Sequence, residues 1–191
     1  MVCKNCLTGL VPTQLGNWAD ELTTGSHLDC ALSAFWFDEL LQNLVHKIKY
    51  NNYRKITKAL VGAMVRVLES ELSKLNIDAL IPVPLHSVKF RERGFNQADS
   101  IAEELSLLLK VPVKYKTIKR CRWTVSQTSL DIETRRNNMD DAFIIKKKLD
   151  YSRILLIDDV LTTGATSNSC AKILKENGAD WVGVMTIGTP R

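Results

Sequence analysis

The stretch Arg153–Thr166 reads RILLIDDVLTTGAT, and the rest of the fold is predicted outward from it. An apolar run leads into two adjacent acids, Asp158 and Asp159, and a threonine-rich turn follows at once. Solid apolar runs are typical of strands that are buried on both faces of a parallel sheet. Ligands of such sheets bind beyond the carboxyl ends of the strands, so the acidic pair lies where a ligand is expected.

The turn Thr162–Thr166 has the composition of an anion-binding loop. Gly164 lets backbone amides approach a ligand closely, and the first N–H groups of the following helix, with its dipole, favour a phosphate. Three threonines add hydroxyl donors. The two carboxylates would repel a phosphate, but they suit hydroxyl groups and hydrated Mg²⁺. A ligand with a phosphate at one end and a diol near the other matches both halves, as in a ribose 5-phosphate.

A purely structural explanation of the same stretch is that its Asp and Thr side chains cap a helix. Each element alone is weak evidence of function. The ordered combination of an apolar run, two acids and Thr-Thr-Gly-x-Thr favours a binding site. The sequence contains neither Gly-x4-Gly-Lys-Ser/Thr nor Gly-x-Gly-x-x-Gly, which excludes a nucleotide P-loop and a dinucleotide loop.

Strand and helix patterns alternate through most of the chain. Apolar residues at helical spacing predict helices over 34–50, 53–75, 96–109 and 165–177. Apolar runs predict strands over 78–85, 111–118, 142–145, 153–157 and 181–187, the first ending near its prolines, Pro82 and Pro84. This order predicts an α/β fold with a doubly wound, mostly parallel sheet flanked by helices.

Length and composition describe an ordinary globular chain. Its 191 residues, 45% hydrophobic and 25% charged, predict one domain with at most a small appendage. There is no run of about 18 apolar residues, so no membrane span is expected. The first residues lack the apolar core of a signal peptide, and the five cysteines form no secreted framework. We therefore expect a reduced, cytoplasmic protein.

The net charge of +5 is mild, but basic residues cluster in one segment. Lys110–Arg122 contains six basic residues and no acidic one. A solvated surface explains such a run, and attraction for phosphate or nucleic acid is the second explanation. Only Tyr115 and Trp123 offer nearby aromatic rings, which is little support for stacking of single-stranded bases.

The stretch at 153–166 closely resembles the 5-phosphoribosyl-1-pyrophosphate (PRPP) signature of type I phosphoribosyltransferases. Two further segments precede it, DALIPVPLHSVKFRERGFNQADSIAEELS (78–106) and RCRWTVSQTSLDIETRRNNMDDAF (120–143). In this order the three segments resemble the ComF/GntX family over roughly residues 33–191, and the Arg-Gly-Phe-Asn-Gln block at 93–97 is specific to it. The resemblance implies a type I phosphoribosyltransferase-like domain over 33–191, preceded by a separate segment, 1–32.

The resemblance implies a PRPP site that works with Mg²⁺. The acidic pair would hold the ribose hydroxyls and, through water, Mg²⁺, while Val160–Thr166 would cradle the 5-phosphate. The segment 85–93 corresponds to the pyrophosphate loop, although a solvated basic turn is the alternative. The expected substrate-binding residues are Asp158, Asp159, Val160, Leu161, Thr162, Thr163, Gly164, Ala165, Thr166, Lys89, Arg91 and Arg93.

The segment 120–138 resembles the mobile hood of related transferases. Such a lid closes over the substrate and excludes water. Arg122, Gln127 and Arg135 would reach the pyrophosphate or the acceptor. Arg135 and Arg136 could equally form exposed ion pairs with Asp131 and Glu133. The expected catalytic residues are Asp158, Asp159, Arg122 and Arg135.

Cys3 and Cys6 have the spacing of a zinc knuckle. A structural zinc site needs four ligands, and ComF/GntX proteins often begin with two such pairs. The single pair here implies a degenerate or truncated zinc-finger remnant. A site from Cys3, Cys6, His27 and Cys30, or half-sites that meet across a dimer, remain alternatives, and no bound zinc is predicted.

The implied reaction is displacement of pyrophosphate at the anomeric carbon of ribose by a nitrogen nucleophile, which the sequence does not identify. Loss of this leaving group needs Mg²⁺ and basic donors. The resemblance also implies a connection with natural competence and DNA uptake. The alternative is a non-catalytic PRPP sensor, or an accessory protein that handles single-stranded DNA. The oligomeric state is left open, with a dimer as one option.

Overall fold

The computed structural model describes residues 7–22, 26–51, 54–121 and 142–191, and the side chains of all of these except 50 and 51. Within these ranges a four-stranded parallel sheet carries helices on both faces. The elements in chain order are α1 (Ala19–Leu22), β1 (Cys30–Trp36), α2 (Glu39–Asn51), α3 (Arg54–Val67), α4 (Glu69–Leu72), β2 (Ala79–Pro82), α5 (Ser87–Arg93), α6 (Gln97–Leu109), β3 (Ile118–Arg120), β4 (Phe143–Ile145), β5 (Arg153–Val160), α7 (Ala165–Glu176) and β6 (Trp181–Thr189).

The sheet has the strand order β1-β6-β5-β2, and every pair in it is parallel. The carboxyl ends of the strands therefore meet at one edge, where Asp158 pairs with Thr186 and Val160 with Gly188. The predicted doubly wound, mostly parallel sheet is confirmed. The first predicted strand also ends at Pro82, as expected from its prolines.

Strand β5 is buried on both faces, which explains its uninterrupted apolar sequence. Leu155 and Ile157 face a core formed with α2, α3 and α6. Ile154 and Leu156 face a second core, formed with α7 and the β3–β4 hairpin. All four side chains are fully buried. Because both faces are covered, the strand is apolar from Ile154 to Ile157 and carries polar side chains only at its ends, Arg153 at the amino end and the acidic pair at the carboxyl end.

The N-terminal segment packs against the sheet edge at β1. Pro12 forms an antiparallel bridge with Phe35, and the Thr13 hydroxyl donates to the Ser33 carbonyl at 2.6 Å. Leu10 joins the core. Strand β1 spans the boundary predicted between residues 32 and 33. The division into two domains stays a prediction.

The predicted helix over 34–50 was wrong at its start. Residues 34–36 belong to β1, which pairs with β6, and α2 begins only at Glu39. The Asp38 side chain caps the helix by accepting a hydrogen bond from the Leu41 amide at 2.9 Å. The apolar run from Ala31 to Phe35 continued smoothly into the helical pattern, so only the capping acid marked the change.

The predicted strand over 111–118 was also wrong for most of its length. Val113 makes a single bridge to Leu80, and the regular strand β3 begins at Ile118. Lys110 and Lys116 have positive φ angles of 57° and 59°, which interrupt an extended chain. In the parts of the chain that the structure describes, no helix combines the length and apolarity needed to cross a bilayer.

Candidate functional site

Asp158 and Asp159 lie at the carboxyl end of β5, and each is tied to the backbone that follows it. Asp158 Oδ1 accepts a hydrogen bond from the Asp159 amide at 2.8 Å. Asp159 Oδ1 accepts one from the Val160 amide at 2.9 Å. Asp158 is half-buried, and Asp159 is only 6% exposed. The two acids therefore have different surroundings although they are adjacent.

Asp159 is enclosed by partners from two helices. The Lys49 ammonium, in the last turn of α2, lies 2.6 Å from Asp159 Oδ2. The Gln97 amide, in the first turn of α6, donates to the same oxygen at 3.5 Å. Sequence reasoning missed Lys49 because it lies far from the signature along the chain. The crossover from β1 through α2 brings it to the same edge of the sheet.

Asp158 is the more open of the two acids, and its charge is poorly compensated. Burial and then the neighbouring charge of Asp159 raise the pKa of Asp158 well above its ordinary value. The hydrogen bond from the Asp159 amide and the charge of Lys49 act in the opposite direction. A carboxylate in this state favours binding of a hydroxyl donor or a cation, because either one stabilises the ionised form.

The loop between β5 and α7 has the form expected of an anion site. Leu161 is buried, and its amide donates to the Gly188 carbonyl at 2.9 Å. Thr162 and Thr163 are exposed. Gly164 occupies the N-cap position of α7 without a side-chain cap. Since the first amides of a helix have no partner within it, this end of α7 presents hydrogen-bond donors to a ligand.

Gly164 is required at this position for two reasons. Its φ angle of +72° lies in the left-handed region that favours glycine. A Cβ atom there would also lie 3.3 Å from the Leu22 side chain in α1. The N-terminal segment makes a second contact with the first turns of α7: the His27 amide donates a hydrogen bond to Asn168 Oδ1 at 2.6 Å.

The basic segment at 86–93 was predicted as a loop, and most of it is the short helix α5. His86 caps this helix by accepting a hydrogen bond from the Val88 amide at 3.3 Å. Gly94 ends it in the left-handed conformation, with a φ angle of +77°. Lys89 and Arg93 are partly buried, whereas Arg91 is exposed. The helix therefore turns two of its three predicted phosphate-binding cations inward.

The Arg-Gly-Phe-Asn-Gln block joins α5 to the acidic pair. Asn96 caps α6, and its side-chain amide donates to the carbonyl of Val83, just beyond β2, at 3.0 Å. Arg93 donates to Gln97 Oε1 at 3.1 Å, while the other end of the Gln97 amide faces Asp159. This block fixes the position of α5 relative to the carboxyl end of β5.

Cations crowd around the acidic pair. Burial lowers the pKa of Lys89, and the charges of Arg93, Arg120 and Lys49 lower it further. Burial also lowers the pKa of Arg120, while Cys170 and Asp158 act in the opposite direction. The Arg120 guanidinium lies 5.5 Å from the centre of the Phe143 ring. Among the described residues, two carboxylates thus share the site with four basic groups, Lys49, Lys89, Arg93 and Arg120, so an anionic ligand would relieve the repulsion among the basic groups.

Several predicted residues lie outside the described part of the chain. They are Arg122, Gln127, Arg135, Cys3 and Cys6. Of the two other residues in the zinc alternative, Cys30 is 4% exposed within β1. Burial, followed by the charges of Glu71 and Asp29, raises the pKa of Cys30 to about 11. A zinc ligand must be a thiolate, which disfavours Cys30 in that role.

Comparison with known proteins identifies the relatives of this chain. Competence protein F of Haemophilus influenzae is 31% identical over 189 residues, which cover 95% of this chain and 76% of that protein. DNA utilization protein YhgH of Escherichia coli O157:H7 is 33% identical over 147 residues, 75% of this chain and 65% of that protein. Competence protein ComFC of Streptococcus pneumoniae is 26% identical over 181 residues, 93% of this chain and 76% of that protein.

No family model matches the chain. A purine phosphoribosyltransferase from Pyrococcus horikoshii aligns in structure with a TM-score of 0.40 and 19% identity, over 66% of this chain and 73% of that one. The fold assignment therefore rests on the parallel strand order observed here. The alignment with competence protein F spans every element that builds the site. On this evidence the chain belongs to the competence protein F (ComF) family.

Proposed function

We propose that this protein binds PRPP at the carboxyl edge of its sheet and acts as a phosphoribosyltransferase-like protein. The observation that carries the proposal is the conjunction, at one edge, of a half-buried acid, an amide-lined turn and several cations. The half-buried acid is Asp158, and the turn is Thr162–Thr166. PRPP carries a diol, a 5-phosphate and a pyrophosphate, and each of these groups has a matching partner there.

The three parts of the ligand are assigned by charge and position. Asp158 accepts hydrogen bonds from the ribose hydroxyls. The turn around Gly164 and the first amides of α7 hold the 5-phosphate. Lys89, Arg93 and Arg120 meet the pyrophosphate, because their charges already act on one another and Lys89 is partly desolvated. Arg122 and Arg135 stay candidates for the same group.

Mg²⁺ fits the donor set of this site. It prefers oxygen ligands and retains several waters, and carboxylates are its usual protein partners. The raised pKa of Asp158 marks a carboxylate that a cation would stabilise in its ionised form. Asp158, with Asp159 behind it, would hold the ion through water, and the ion would neutralise part of the charge on the pyrophosphate.

The proposed reaction transfers the phosphoribosyl group to a nitrogen acceptor with release of pyrophosphate. Lys89, Arg93 and Arg120 would stabilise the charge that develops on the leaving group, because fixed donors aimed at a developing charge lower the barrier to its formation. Asp158 would hold the ribose in place while its anomeric carbon is attacked. The acceptor is a nitrogen nucleophile of unknown identity.

Calorimetric titration tests the binding proposal directly. We expect PRPP to bind with higher affinity in the presence of Mg²⁺ than in EDTA. Ribose 5-phosphate should bind about tenfold or more weakly, because it lacks the charge-assisted contacts of the pyrophosphate. Glucose 6-phosphate, which lacks the furanose diol, serves as the control ligand. No heat from PRPP under either condition would contradict the proposal.

Pyrophosphate release separates an enzyme from a sensor. Release that depends on both Mg²⁺ and an added nitrogen acceptor, such as ammonium or a free base, supports a transferase. Tight binding of PRPP without release under any of these conditions supports the non-catalytic alternative. Both an enzyme and a sensor should bind PRPP in the calorimetric titration, so only the release of pyrophosphate distinguishes them.

A second candidate function is the handling of single-stranded DNA, favoured by a groove at the other edge of the sheet. This groove has a volume of about 760 Å³ and is lined by residues that include Lys114, Tyr115, Lys147, Lys148 and Tyr151. Exposed lysines next to aromatic rings are typical of surfaces that bind single strands. The relatives' names, "DNA utilization" and "competence", agree with this candidate.

Charge reversal in the groove tests this candidate. The double variant Lys147→Glu/Lys148→Glu should weaken binding of an oligonucleotide about tenfold or more. The slope of log K against log salt concentration should decrease by the amount expected for the loss of about two phosphate contacts. The matched control is Lys55→Glu/Lys58→Glu, which reverses two exposed lysines on α3. Equal losses in both double variants, measured by fluorescence anisotropy across a salt series, would show only nonspecific attraction.

A further inference from the structure

Asp159 has little capacity left for a ligand. Its Oδ1 is occupied by the Val160 amide, and its Oδ2 by Lys49 at 2.6 Å with Gln97 at 3.5 Å. The side chain is 9% exposed. A ribose hydroxyl could reach Asp159 only if one of these partners moved away. Asp158 differs, because it is half-buried and the hydrogen bond described for it is the one that its Oδ1 accepts from the neighbouring Asp159 amide.

Lys49 is held in place by the helix that carries it. Helix α2 inserts Leu41 and Ile48 fully into the core. Leu41 packs so closely on β6 that a Cβ atom at Gly188 would lie 2.5 Å from its Cδ2. Gly188 in turn pairs with Val160 of β5. The anchor of α2 and the end of β5 therefore both lie against Gly188 of β6, and the Lys49 stem reaches Asp159 from a fixed base.

We propose that the two acids have different roles. Of the two, only Asp158 contacts the ligand, whereas Asp159 is a positioning residue together with Lys49 and Gln97. This inference rests on the proposed PRPP site and names which side chains recognise the ribose. Asp159 fixes the Val160 amide, from which the phosphate-binding turn begins. Through Gln97 it also fixes Arg93, so the ion pair aligns the acidic pair with the pyrophosphate side of the site.

A double-mutant cycle on PRPP affinity distinguishes this arrangement from direct contact. Lys49→Met and Asp159→Asn should each raise the Kd about tenfold, and together they should also raise it about tenfold, because both remove the same alignment. If Lys49 bound a phosphate and Asp159 bound the ribose independently, the double variant would lose about a hundredfold. Additive losses would overturn the inference.

Conservative and matched variants show whether the ion pair is the cause. Lys49→Arg keeps the pair and should stay within about threefold of the wild-type Kd. Lys47→Met removes an exposed lysine from the same helix and should leave the Kd unchanged. The role of the ion pair would be contradicted if Lys49→Arg raised the Kd as much as Lys49→Met does. It would also be contradicted if Lys47→Met raised the Kd by the same amount.

Folding and the proposed function are checked separately. Circular dichroism should show that the variants are folded, and the double variant should unfold at a higher temperature than Lys49→Met, which leaves a buried charge without its partner. If Lys49→Met does not fold, Lys49→Gln replaces it in the cycle. Absence of PRPP binding by the wild-type protein would overturn the proposed function and this inference together. Wild-type binding with an additive cycle would overturn the inference alone.

Discussion

Asp158→Asn is expected to weaken PRPP binding about a hundredfold or more, because it removes charge-assisted hydrogen bonds to the ribose and the attraction for Mg²⁺. The same substitution should make the metal-free protein more stable at neutral pH. Asp158 is half-buried beside Asp159, and its raised pKa means that folding disfavours its ionised form. Calorimetry with PRPP and thermal unfolding in EDTA measure the two effects on one variant.

The gain in stability should depend on pH in a defined direction. The pKa of Asp158 is higher in the folded protein than in the unfolded chain, so its ionisation costs stability: the cost begins as the pH rises above the ordinary pKa and is complete once the pH exceeds the folded pKa. The cost disappears as the pH falls through the folded pKa toward the ordinary value. The advantage of Asp158→Asn should therefore be larger at neutral pH than at acidic pH and shrink steadily on acidification, as thermal unfolding across a pH series would show.

Asp180→Asn is the matched control for this prediction. Asp180 is exposed before β6, at the other edge of the sheet. Its substitution should change neither the PRPP affinity nor the pH dependence. An Asp158→Asn variant that binds PRPP as tightly as the wild type would contradict the assignment of the ribose subsite. A variant that is destabilised at neutral pH would contradict the account of its buried charge.

Gly164→Ala is expected to lower both stability and phosphate affinity. The left-handed φ angle of +72° costs an L-residue about 1–2 kcal/mol, which corresponds to a decrease in Tm of about 2–8 °C for a chain of this size. The new Cβ also presses against Leu22 and stands among the amides that would approach the phosphate. PRPP affinity should fall about tenfold or more, since a good charge-assisted contact is worth about 1.5–3 kcal/mol.

Gly178→Ala separates backbone strain from the loss of the ligand site. Gly178 has a φ angle of +100° just beyond the other end of α7, and a Cβ there meets nothing within 4 Å. It should lower the Tm by a similar amount without changing the Kd for PRPP. Equal loss of affinity in both variants would show that α7 is disturbed as a whole and that the turn has no special part in binding.

The sequence was sufficient to predict the elements of the candidate site that are continuous along the chain. The strand β5, the acidic pair, the turn and α7 all occur in one segment, and each has a local cause: burial on both faces, a strand end, a left-handed glycine and the start of a helix. The alternation of apolar runs and helical patterns was likewise enough for a parallel sheet, because such sheets need helical crossovers.

The remaining part of the site depends on contacts between distant segments. Lys49 carries no local mark that distinguishes it from Lys47, and only the packing of α2 on β6 selects it as the partner of Asp159. Arg120 appeared as one residue of a basic run, whereas the β3–β4 hairpin directs it toward Phe143 and Asp158. Helix α5 was missed because its residues read equally well as a polar loop, apart from the capping His86 and Gly94.

Strand β5 lies between Tyr151, two residues before its start, and Asp158, near its carboxyl end. Seven peptide steps lie between Tyr151 and Asp158, about 23 Å of extended chain. Every residue between Ile154 and Ile157 is fully buried, so the strand behaves as a stiff spacer. A small metabolite on one end and a polymer on the other would not compete for space. Titrations with both ligands should then yield a ternary complex, in which the protein binds PRPP and single-stranded DNA at the same time.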